Sequence, residues 1–270
     1  MGEYIVLLKD VVKKYKSTAA VNHIDLQLEK GKIYGLVGKN GAGKTTMMRM
    51  IAGLSIPTKG TIQVNADRIG ILIEAPGLNG NMSAKENLKF YRMLFQTGKN
   101  EDSDEDLLNL VGLENVGKKK TKDFSLGMRQ RLGIAVALLG NPDFIMLDEP
   151  VNGLDPVGVV EVRNLIKKIN QEKKVTFLVS SHNLPELFQT ATDFIIMDKG
   201  IIKKEITQEE LEEKHKESLE EYFLSWSVKT YQHPYRYTHT PSHMFKQHRV
   251  TAPYGGIDLR VTDSWVQLSF

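Results

Sequence analysis

The alternation of apolar and polar residues predicts two half-buried strands near the N-terminus, at Tyr4–Leu8 and Ile24–Leu28. Two later segments, Lys32–Val37 and Phe144–Leu147, are almost continuously apolar, as strands are when a parallel sheet is covered on both faces. Further strands are predicted at Thr61–Val64, Ile69–Ile73, Val175–Val179, Phe194–Met197 and Ile201–Ile206. This pattern indicates an α/β protein with a mostly parallel sheet, preceded by an antiparallel edge.

Apolar residues that recur every three to four positions predict helices between these strands. The predicted helices are Thr45–Leu54, Ser83–Phe95, Asp104–Val111, Gly127–Leu139, one that begins at Asp155 and Pro156, and one from Thr207 to about Leu224. Capping boxes formed by Ser83 with Glu86, and by Thr207 with Glu210, mark two of the helix starts. From about Ser83 to Gly140 helices follow one another without a predicted strand, which indicates a helical insertion.

The residue pattern changes at Ser225, so we divide the chain into a domain at residues 4–224 and a tail at residues 225–270. Prolines interrupt the periodicity of the tail before Ile257. Three interpretations stay open: a small accessory β element, a disordered extension, or the translation of an altered reading frame. His239 and His243 have the i, i+4 spacing that a metal can use, but disorder is the favoured interpretation.

Composition is that of an ordinary globular protein, with 41% apolar and 26% charged residues among 270. No apolar run reaches the ~18 residues that span a bilayer, and the absence of cysteine agrees with a reducing compartment, so we expect a cytosolic protein. The net charge of +3 comes entirely from the tail, which has five basic and two acidic residues from Ser225 onward. The balanced domain lacks the basic face that nucleic-acid binding needs, so we expect no nucleic-acid partner.

The segment Gly38–Thr45 matches G-x-x-x-x-G-K-[ST], the phosphate-binding P-loop, at every fixed position. It also has the required context, because a strand is predicted before it and a helix after it. Its glycines allow backbone N–H groups to converge on phosphate oxygens. We expect Lys44 to reach the β- and γ-phosphates of a nucleotide, and the Thr45 hydroxyl to bind Mg²⁺.

Two carboxylates, Asp148 and Glu149, end the apolar strand that starts at Phe144. Open parallel sheets bind ligands at the carboxyl ends of their strands. Asp148 therefore suits the Mg²⁺ shell, and Glu149 is placed to polarise an attacking water. His182 follows another predicted strand and is either a γ-phosphate contact or, as a lone histidine more often is, structural.

Two weaker signals have an ordinary structural alternative. The Tyr15 ring, flanked by lysines, either stacks on a nucleotide base or is a partly exposed aromatic side chain without a ligand. Ser125 and Gly127 lie at the predicted start of a helix, where free N–H groups can receive an anion, although a simple helix cap is the commoner explanation.

Together these motifs resemble the ATP-binding subunit of ABC transporters over about Tyr4–Leu224. The P-loop, Asp148–Pro150, Gly153–Asp155 and His182 occur in the order and approximate spacing of that family. The resemblance implies a P-loop NTPase core with an antiparallel β subdomain and an α-helical insertion. It also implies a head-to-tail homodimer in which ATP lies between the P-loop of one subunit and the signature segment of the other. The residues assigned to ATP are Tyr15, Gly38, Lys39, Asn40, Gly41, Ala42, Gly43, Lys44, Thr45, Thr46, Ser125 and Gly127, with Glu149 and His182 as catalytic residues and Thr45, Glu74 and Asp148 as Mg²⁺ ligands.

Two segments depart from the usual residues of the family. The signature segment, usually Leu-Ser-Gly-Gly-Gln, is Phe124–Met128 here, with Ser125 and Gly127 retained. Glu74 stands where the family usually has a glutamine that senses Mg²⁺ and contacts the membrane partner. Glutamate at this position resembles the branch that exports bacitracin-type and lantibiotic peptides.

The resemblance leads us to expect an ATPase, peripheral to the cytoplasmic side of the cell membrane, that drives a separate transmembrane permease and exports an antimicrobial peptide. One alternative is a nucleotide-dependent switch that binds ATP with negligible hydrolysis, but Glu149 and His182 argue against it. Another is a soluble ABC ATPase that acts in translation or on DNA. Tandem cassettes or a long coiled-coil insertion would indicate that class, and the sequence has neither.

Overall fold

A computed structural model describes residues 3–74, 76–97, 102–214, 258–262 and 265–269. The chain forms two compact units, at residues 1–230 and 231–270. The strands are β1 Tyr4–Tyr15, β2 Thr18–Glu29, β3 Ile33–Val37, β4 Lys59–Val64, β5 Ile69–Leu72, β6 Phe144–Asp148, β7 Thr176–Ser181, β8 Asp193–Asp198, β9 Ile201–Thr207, β10 Asp258–Thr262 and β11 Trp265–Ser269. The α-helices are α1 Lys44–Ile51, α2 Ala84–Phe95, α3 Asp104–Leu110, α4 Leu126–Ala137, α5 Pro156–Lys173, α6 Leu184–Phe188 and α7 Gln208–Lys214, with short 3₁₀ turns at Glu114–Val116 and Thr121–Asp123.

The main sheet contains six strands in the order β5-β6-β7-β3-β8-β9. Each neighbouring pair is parallel except β8 with β9, which is antiparallel. Every residue of β3, β6 and β7 is buried, which explains why their sequences are so apolar. The predicted α/β fold with a mostly parallel sheet is confirmed. Because β6, β7 and β3 are adjacent and parallel, their carboxyl ends lie side by side at one edge of the sheet.

A second, antiparallel sheet has the strand order β2-β1-β4. Its strands β1 and β2 each contain 12 residues, so the strands predicted at Tyr4–Leu8 and Ile24–Leu28 were too short. The alternation breaks because Asp10 and His23 adopt positive φ angles of 51° and 52°. The register of β1 with β2 also shifts between Leu8 and Val11. Strand pairing continues past such bulges, although the sequence pattern does not.

The helical insertion packs α2, α3 and α4 together. Leu88, Leu107 and Leu132, one from each helix, are buried in the same apolar core. The first predicted capping box is confirmed, because the Glu86 N–H donates to Ser83 Oγ at 3.3 Å and the Ser83 N–H donates to Glu86 Oε2 at 2.6 Å. No strand lies between α2 and α4 in the residues described there. The predicted insertion is therefore confirmed.

One short helix was not predicted, and one predicted helix is described only in part. The short helix α6 was not predicted, because five residues that begin with Leu184 and Pro185 are too few to show a helical period. The helix predicted to run to about Leu224 is described as far as Lys214, and its later part lies outside the described residues. Its start is as expected, since the Glu210 N–H donates to Thr207 Oγ1 at 3.2 Å. None of the helices among the described residues is long and apolar enough to cross a membrane.

In the C-terminal unit, β10 and β11 pair as an antiparallel hairpin, from Asp258 with Ser269 to Thr262 with Trp265. The rest of the predicted tail, including His239 and His243, lies outside the described residues. The boundary at 224 and the interpretations of the tail therefore stay predictions.

Candidate functional site

The P-loop connects the carboxyl end of β3 to the start of α1. Two of its glycines adopt left-handed backbone conformations, with φ angles of 81° at Gly41 and 105° at Gly43. A Cβ atom on Gly43 would lie 2.3 Å from the carbonyl oxygen of Ala20 in β2. Position 43 therefore requires glycine both for its backbone angle and for the close approach of the neighbouring sheet.

Backbone donors converge where α1 begins. The N–H groups of Lys44, Thr45 and Thr46 belong to the first turn, so they have no acceptor within the helix. They make no backbone hydrogen bond to another described residue. Free N–H groups and the positive end of the helix dipole together favour an anion at this position. The geometry fits the phosphates of a nucleotide.

The Lys44 side chain is only 6% exposed, and its ammonium group is held by acceptors on two sides. It donates to the carbonyl oxygen of Gly38 at 2.5 Å and to that of Lys39 at 3.4 Å. On the other side, Nζ lies 3.3 Å from Oε1 of Glu149. The P-loop lysine and the predicted catalytic carboxylate are therefore an ion pair in this structure.

Glu149 directly follows β6, and its φ angle of 50° turns the chain away from the sheet. One carboxylate oxygen, Oε2, lies 2.8 Å from Nδ1 of His182, which follows β7. The other, Oε1, is buried and forms the ion pair with Lys44, but no described residue donates a hydrogen bond to it. Buried carboxylate oxygens usually accept at least one hydrogen bond. This oxygen therefore has room for a further donor, such as a water molecule beside the P-loop.

Asp148, the last residue of β6, is buried and both of its carboxylate oxygens accept hydroxyl groups. The Thr45 hydroxyl donates to Oδ2 at 2.7 Å, and the Ser180 hydroxyl donates to Oδ1. Among the described residues there is no cluster of three or more His, Cys, Asp and Glu side chains that could hold a metal. Mg²⁺ that arrives with a nucleotide needs only one or two carboxylates beside the phosphates. The side-chain oxygens of Thr45 and Asp148 are therefore suitable ligands for that ion.

The signature segment caps α4 within its own chain. Ser125 Oγ accepts the N–H of Met128 at 3.2 Å, so the helix begins one residue before the predicted Gly127. Leu126 is 40% exposed, and a Cβ on Gly153 would lie 3.3 Å from its side chain. The segment therefore packs beside the turn that follows β6 while its serine and much of its leucine face outward.

Tyr15 and Glu74 contact residues that do not belong to the group around Lys44, Asp148 and Glu149. The Tyr15 ring is 49% exposed at the end of β1, and Lys13 Nζ lies 5.2 Å from its centroid. The Glu74 carboxylate is paired with Arg49 at 2.5 Å and its side chain is 64% exposed. Neither contact excludes the predicted role, since an exposed ring and an exposed carboxylate can both exchange partners.

The structure brings together five of the predicted residues in one network: Lys44, Thr45, Asp148, Glu149 and His182. No hydrogen bond or ion pair among the described residues joins this network to Tyr15, Glu74, Ser125 or Gly127. The sequence analysis missed Ser180 and Arg49. Their contacts depend on strand register and helix placement, for which the sequence carries no local signal.

Comparison with known proteins agrees with this geometry. Residues 21–152 match the ABC transporter family. The bacitracin transport ATP-binding protein BcrA of Enterococcus faecalis is 39% identical over 229 residues, which cover 81% of this chain and 74% of that protein. The lantibiotic transport ATP-binding protein SrtF of Streptococcus pyogenes is 40% identical over 217 residues, which cover 76% of this chain and 93% of that protein. A solved dimeric ATP-binding cassette in a post-hydrolysis state with ADP and phosphate aligns with a TM-score of 0.67 and 26% identity, covering 75% of this chain and 98% of that one. This chain therefore belongs to the ABC transporter family, as one of its ATP-hydrolysing ATP-binding subunits.

Proposed function

We propose that this ATPase drives a separate membrane permease that exports antimicrobial peptides of the bacitracin and lantibiotic type, for resistance or immunity. The main observation in support of the ATPase activity is the network formed by five residues: Lys44, Thr45, Asp148, Glu149 and His182. The cargo class is supported by the relatives BcrA and SrtF, which are described as bacitracin and lantibiotic transport proteins. Specificity for one peptide belongs to the permease.

The P-loop is proposed to bind the triphosphate of ATP through Lys44 and the free N–H groups at the start of α1. Phosphate oxygens are stronger partners for the ammonium group than the two carbonyl oxygens it contacts at present. Lys44 then leaves its ion pair with Glu149, at 3.3 Å, for the phosphates. Tyr15 provides an exposed aromatic face for stacking on the base. Binding of substrate therefore releases the carboxylate for its own role.

Thr45 and Asp148 are the residues we propose to hold Mg²⁺, with Glu74 as a further carboxylate ligand. When bound, Mg²⁺ supplies positive charge that stabilises the phosphoryl group during transfer. The hydrogen bond of 2.7 Å between Thr45 Oγ1 and Asp148 Oδ2 keeps the two oxygen donors side by side beforehand. For Glu74 to contribute, its carboxylate must exchange Arg49 for the metal.

Glu149 is proposed to orient and deprotonate the attacking water, with His182 holding the carboxylate in place. The contact of 2.8 Å between His182 Nδ1 and Glu149 Oε2 fixes one carboxylate oxygen. A carboxylate only accepts hydrogen bonds, so Nδ1 carries the proton in this contact. Once Lys44 leaves the ion pair for the phosphates, the buried Oε1 becomes available to the water, because no other described residue donates to it.

A second copy of the chain is proposed to complete each site in a head-to-tail homodimer. Ser125 and Gly127 make no hydrogen bond to the P-loop of their own chain within the described residues, while the exposed Leu126 shows that the segment faces outward. In the first turn of α4 the Met128 N–H is taken by Ser125, whereas the N–H groups of Leu126 and Gly127 have no described backbone partner and are available to an anion. The solved relative in a post-hydrolysis state is itself a dimer.

The partner that we propose at the membrane is a transmembrane permease, which holds this subunit peripherally on the cytoplasmic side. A groove of about 250 Å³ lies between the helical insertion and the main sheet, with Leu54, Leu78, Tyr91, Phe95 and Val136 among its lining residues. Leu54 and Phe95 are exposed apolar side chains, which suit an amphipathic segment of a partner protein. Arg49 also lines the groove, and its ion pair links the groove to Glu74.

Phosphate release from MgATP, with and without the co-expressed permease, tests this function. We expect the wild-type chain to release phosphate and Lys44→Ala to release it about 10²- to 10³-fold more slowly, because the proposal makes its ammonium group the main cation at the phosphates. Lys30→Ala is the matched control, since that lysine pairs with Glu3 at the surface. If the wild-type chain binds nucleotide but releases no phosphate in both conditions, with permease and without it, the result would support an ATP-dependent switch and contradict the proposal.

A further inference from the structure

Ser180 occupies a position that no predicted role explains. It lies on β7 directly opposite Asp148 of β6 in the parallel register, so both side chains point to the same face of the sheet. Its side chain is fully buried, with an exposed fraction of 0%. A buried hydroxyl group needs partners for its proton and its lone pairs. For Ser180 these partners are Asp148 and Glu149, both of which belong to the proposed ATPase site.

The hydroxyl group of Ser180 bridges the two acidic residues that end β6. It donates to Oδ1 of Asp148 and accepts the backbone N–H of Glu149 at 2.9 Å. The second oxygen of Asp148, Oδ2, accepts the Thr45 hydroxyl. Asp148 is therefore held at both oxygens, with the P-loop on one side and β7 on the other.

We propose that Ser180 is a positioning residue of the ATPase site, which orients Asp148 for Mg²⁺ and fixes the backbone at the point where Glu149 leaves the sheet. This inference rests on the proposed Mg²⁺ and catalytic roles of those two acids. Ser180 itself is assigned no contact with the nucleotide. It acts through Asp148 and Glu149, in the manner of a hydrogen-bonding partner outside the metal shell.

Two physical reasons make the bridge important. A carboxylate that lost the Ser180 hydroxyl would keep one partner and could rotate, so its oxygen would no longer be preset beside Thr45. Glu149 also has a φ angle of 50°, a conformation that non-glycine residues keep only when their surroundings hold it. The Glu149 N–H lies 2.9 Å from the Ser180 hydroxyl and 3.2 Å from its carbonyl oxygen, so one residue supports that turn twice.

The test compares Ser180→Ala with Ser180→Thr in the full-length protein. Threonine keeps the hydroxyl group, and a cavity of about 20 Å³ borders position 180. A fluorescent ATP analogue reports nucleotide affinity in EDTA and then the Mg²⁺ concentration that gives the half-maximal signal change. Substitution of residues that orient metal ligands typically weakens metal affinity about 10- to 100-fold, so we expect at least about a tenfold loss for Ser180→Ala. Nucleotide affinity in EDTA should stay unchanged, and Ser180→Thr should restore the Mg²⁺ response.

Thr176→Val is the matched control on the same strand. Thr176 is buried and its hydroxyl accepts the N–H of Gly31 at 2.9 Å, at the opposite end of β7 from the acids. We expect the control to bind nucleotide and Mg²⁺ as the wild type does, even if it unfolds at a lower temperature.

Several outcomes overturn the proposal. They are an unchanged Mg²⁺ response in Ser180→Ala, an equal loss in Thr176→Val, or a folded Ser180→Thr that fails to restore the response. Failure of the proposed function gives a different result, since the wild type itself would then show no affinity for the ATP analogue.

Discussion

Two regions differ in how many of their polar groups find partners within one chain. One is the P-loop edge, the edge of the main sheet that carries Lys44 and Asp148, and the other is the signature segment Phe124–Met128. At the P-loop edge, Lys44 and Asp148 are buried and every side chain of the network contacts another. In the signature segment, Ser125 caps only its own helix and Leu126 is 40% exposed. One copy therefore prearranges the groups proposed for one side of a nucleotide and presents outward the groups proposed for the other side. This division supports two copies as the working unit.

The largest effect that we expect is at the P-loop edge, from Glu149→Gln. General bases contribute about 10²- to 10⁴-fold, so phosphate release should fall by that range while ATP still binds. ATP-bound dimers should then accumulate and be visible by size-exclusion chromatography with light scattering. Glu186→Gln is the control, because it makes the same chemical change on the nearby helix α6. Unchanged turnover in Glu149→Gln would rule out this residue as the base.

A mixing experiment tests whether the two regions work across copies. Lys44→Ala and Ser125→Glu should each lower hydrolysis by about 10²- to 10³-fold, as expected for loss or reversal of a charge-stabilising contact. In a head-to-tail dimer of one copy of each, the intact P-loop of the second faces the intact signature segment of the first. The mixture should therefore recover activity that neither variant shows alone. A mixture as inactive as its components would place both regions of a working site in the same chain.

A smaller effect is expected at Glu74, which pairs with Arg49 of α1 at 2.5 Å. If Glu74 binds Mg²⁺, Glu74→Gln should raise the Mg²⁺ concentration needed for hydrolysis, by about tenfold as for other changes around a metal. Arg49→Ala breaks the same ion pair but spares the carboxylate, so it should leave that requirement unchanged or lower it. Equal increases in both variants would assign the ion pair a structural role instead.

The smallest effect is expected outside both regions, at the capping box of α2. The Ser83 N–H and then Lys120 stabilise the Glu86 carboxylate and lower its pKa to about 2. A carboxyl group whose pKa is lower in the folded state stabilises the fold above its unfolded value, and this contribution is lost as the pH falls toward about 2. Thermal unfolding should show Glu86→Gln less stable than the wild type at neutral pH, with the difference shrinking below about pH 4.5.

Hydrolysis by Glu86→Gln at neutral pH should match the wild type at a temperature where both are folded. Glu209→Gln, an exposed glutamate of α7, provides the control for loss of one negative charge. A stability difference that persists unchanged at low pH would contradict the assignment to the Glu86 carboxylate.

The parts of the fold that the sequence predicted well are those whose burial is uniform. β3 and β6 are buried at every residue, so their apolar runs mark them to within a residue or two. The P-loop is also predictable, because its backbone angles demand glycine at fixed positions. By contrast, β1 continues through Asp10 to Tyr15. The positive φ angle at Asp10 and the polar side chains after it interrupt the alternation of apolar and polar residues, so the sequence does not predict this part of the strand.

The candidate site was predictable residue by residue but not as a network. Sequence motifs identified Lys44, Asp148 and Glu149, whereas the pairing of Lys44 with Glu149 at 3.3 Å depends on the left-handed turn after β6. The bridge made by Ser180 depends on the register of β6 with β7, which no local pattern encodes. Motifs report which chemical groups are present, and strand order decides which of them touch.

The close approach of Gly43 to the Ala20 carbonyl has a consequence for chimeras built from related cassettes. The separation that excludes a side chain at Gly43 is set by a main-chain oxygen of β2, and the N–H of Gly200 adds a bond of 2.9 Å to the carbonyl of Ala42 beside it. An exchanged N-terminal sheet must therefore bring the backbone of β2 along the same path at position 20. Donor segments should be chosen by superposition of that path rather than by sequence identity.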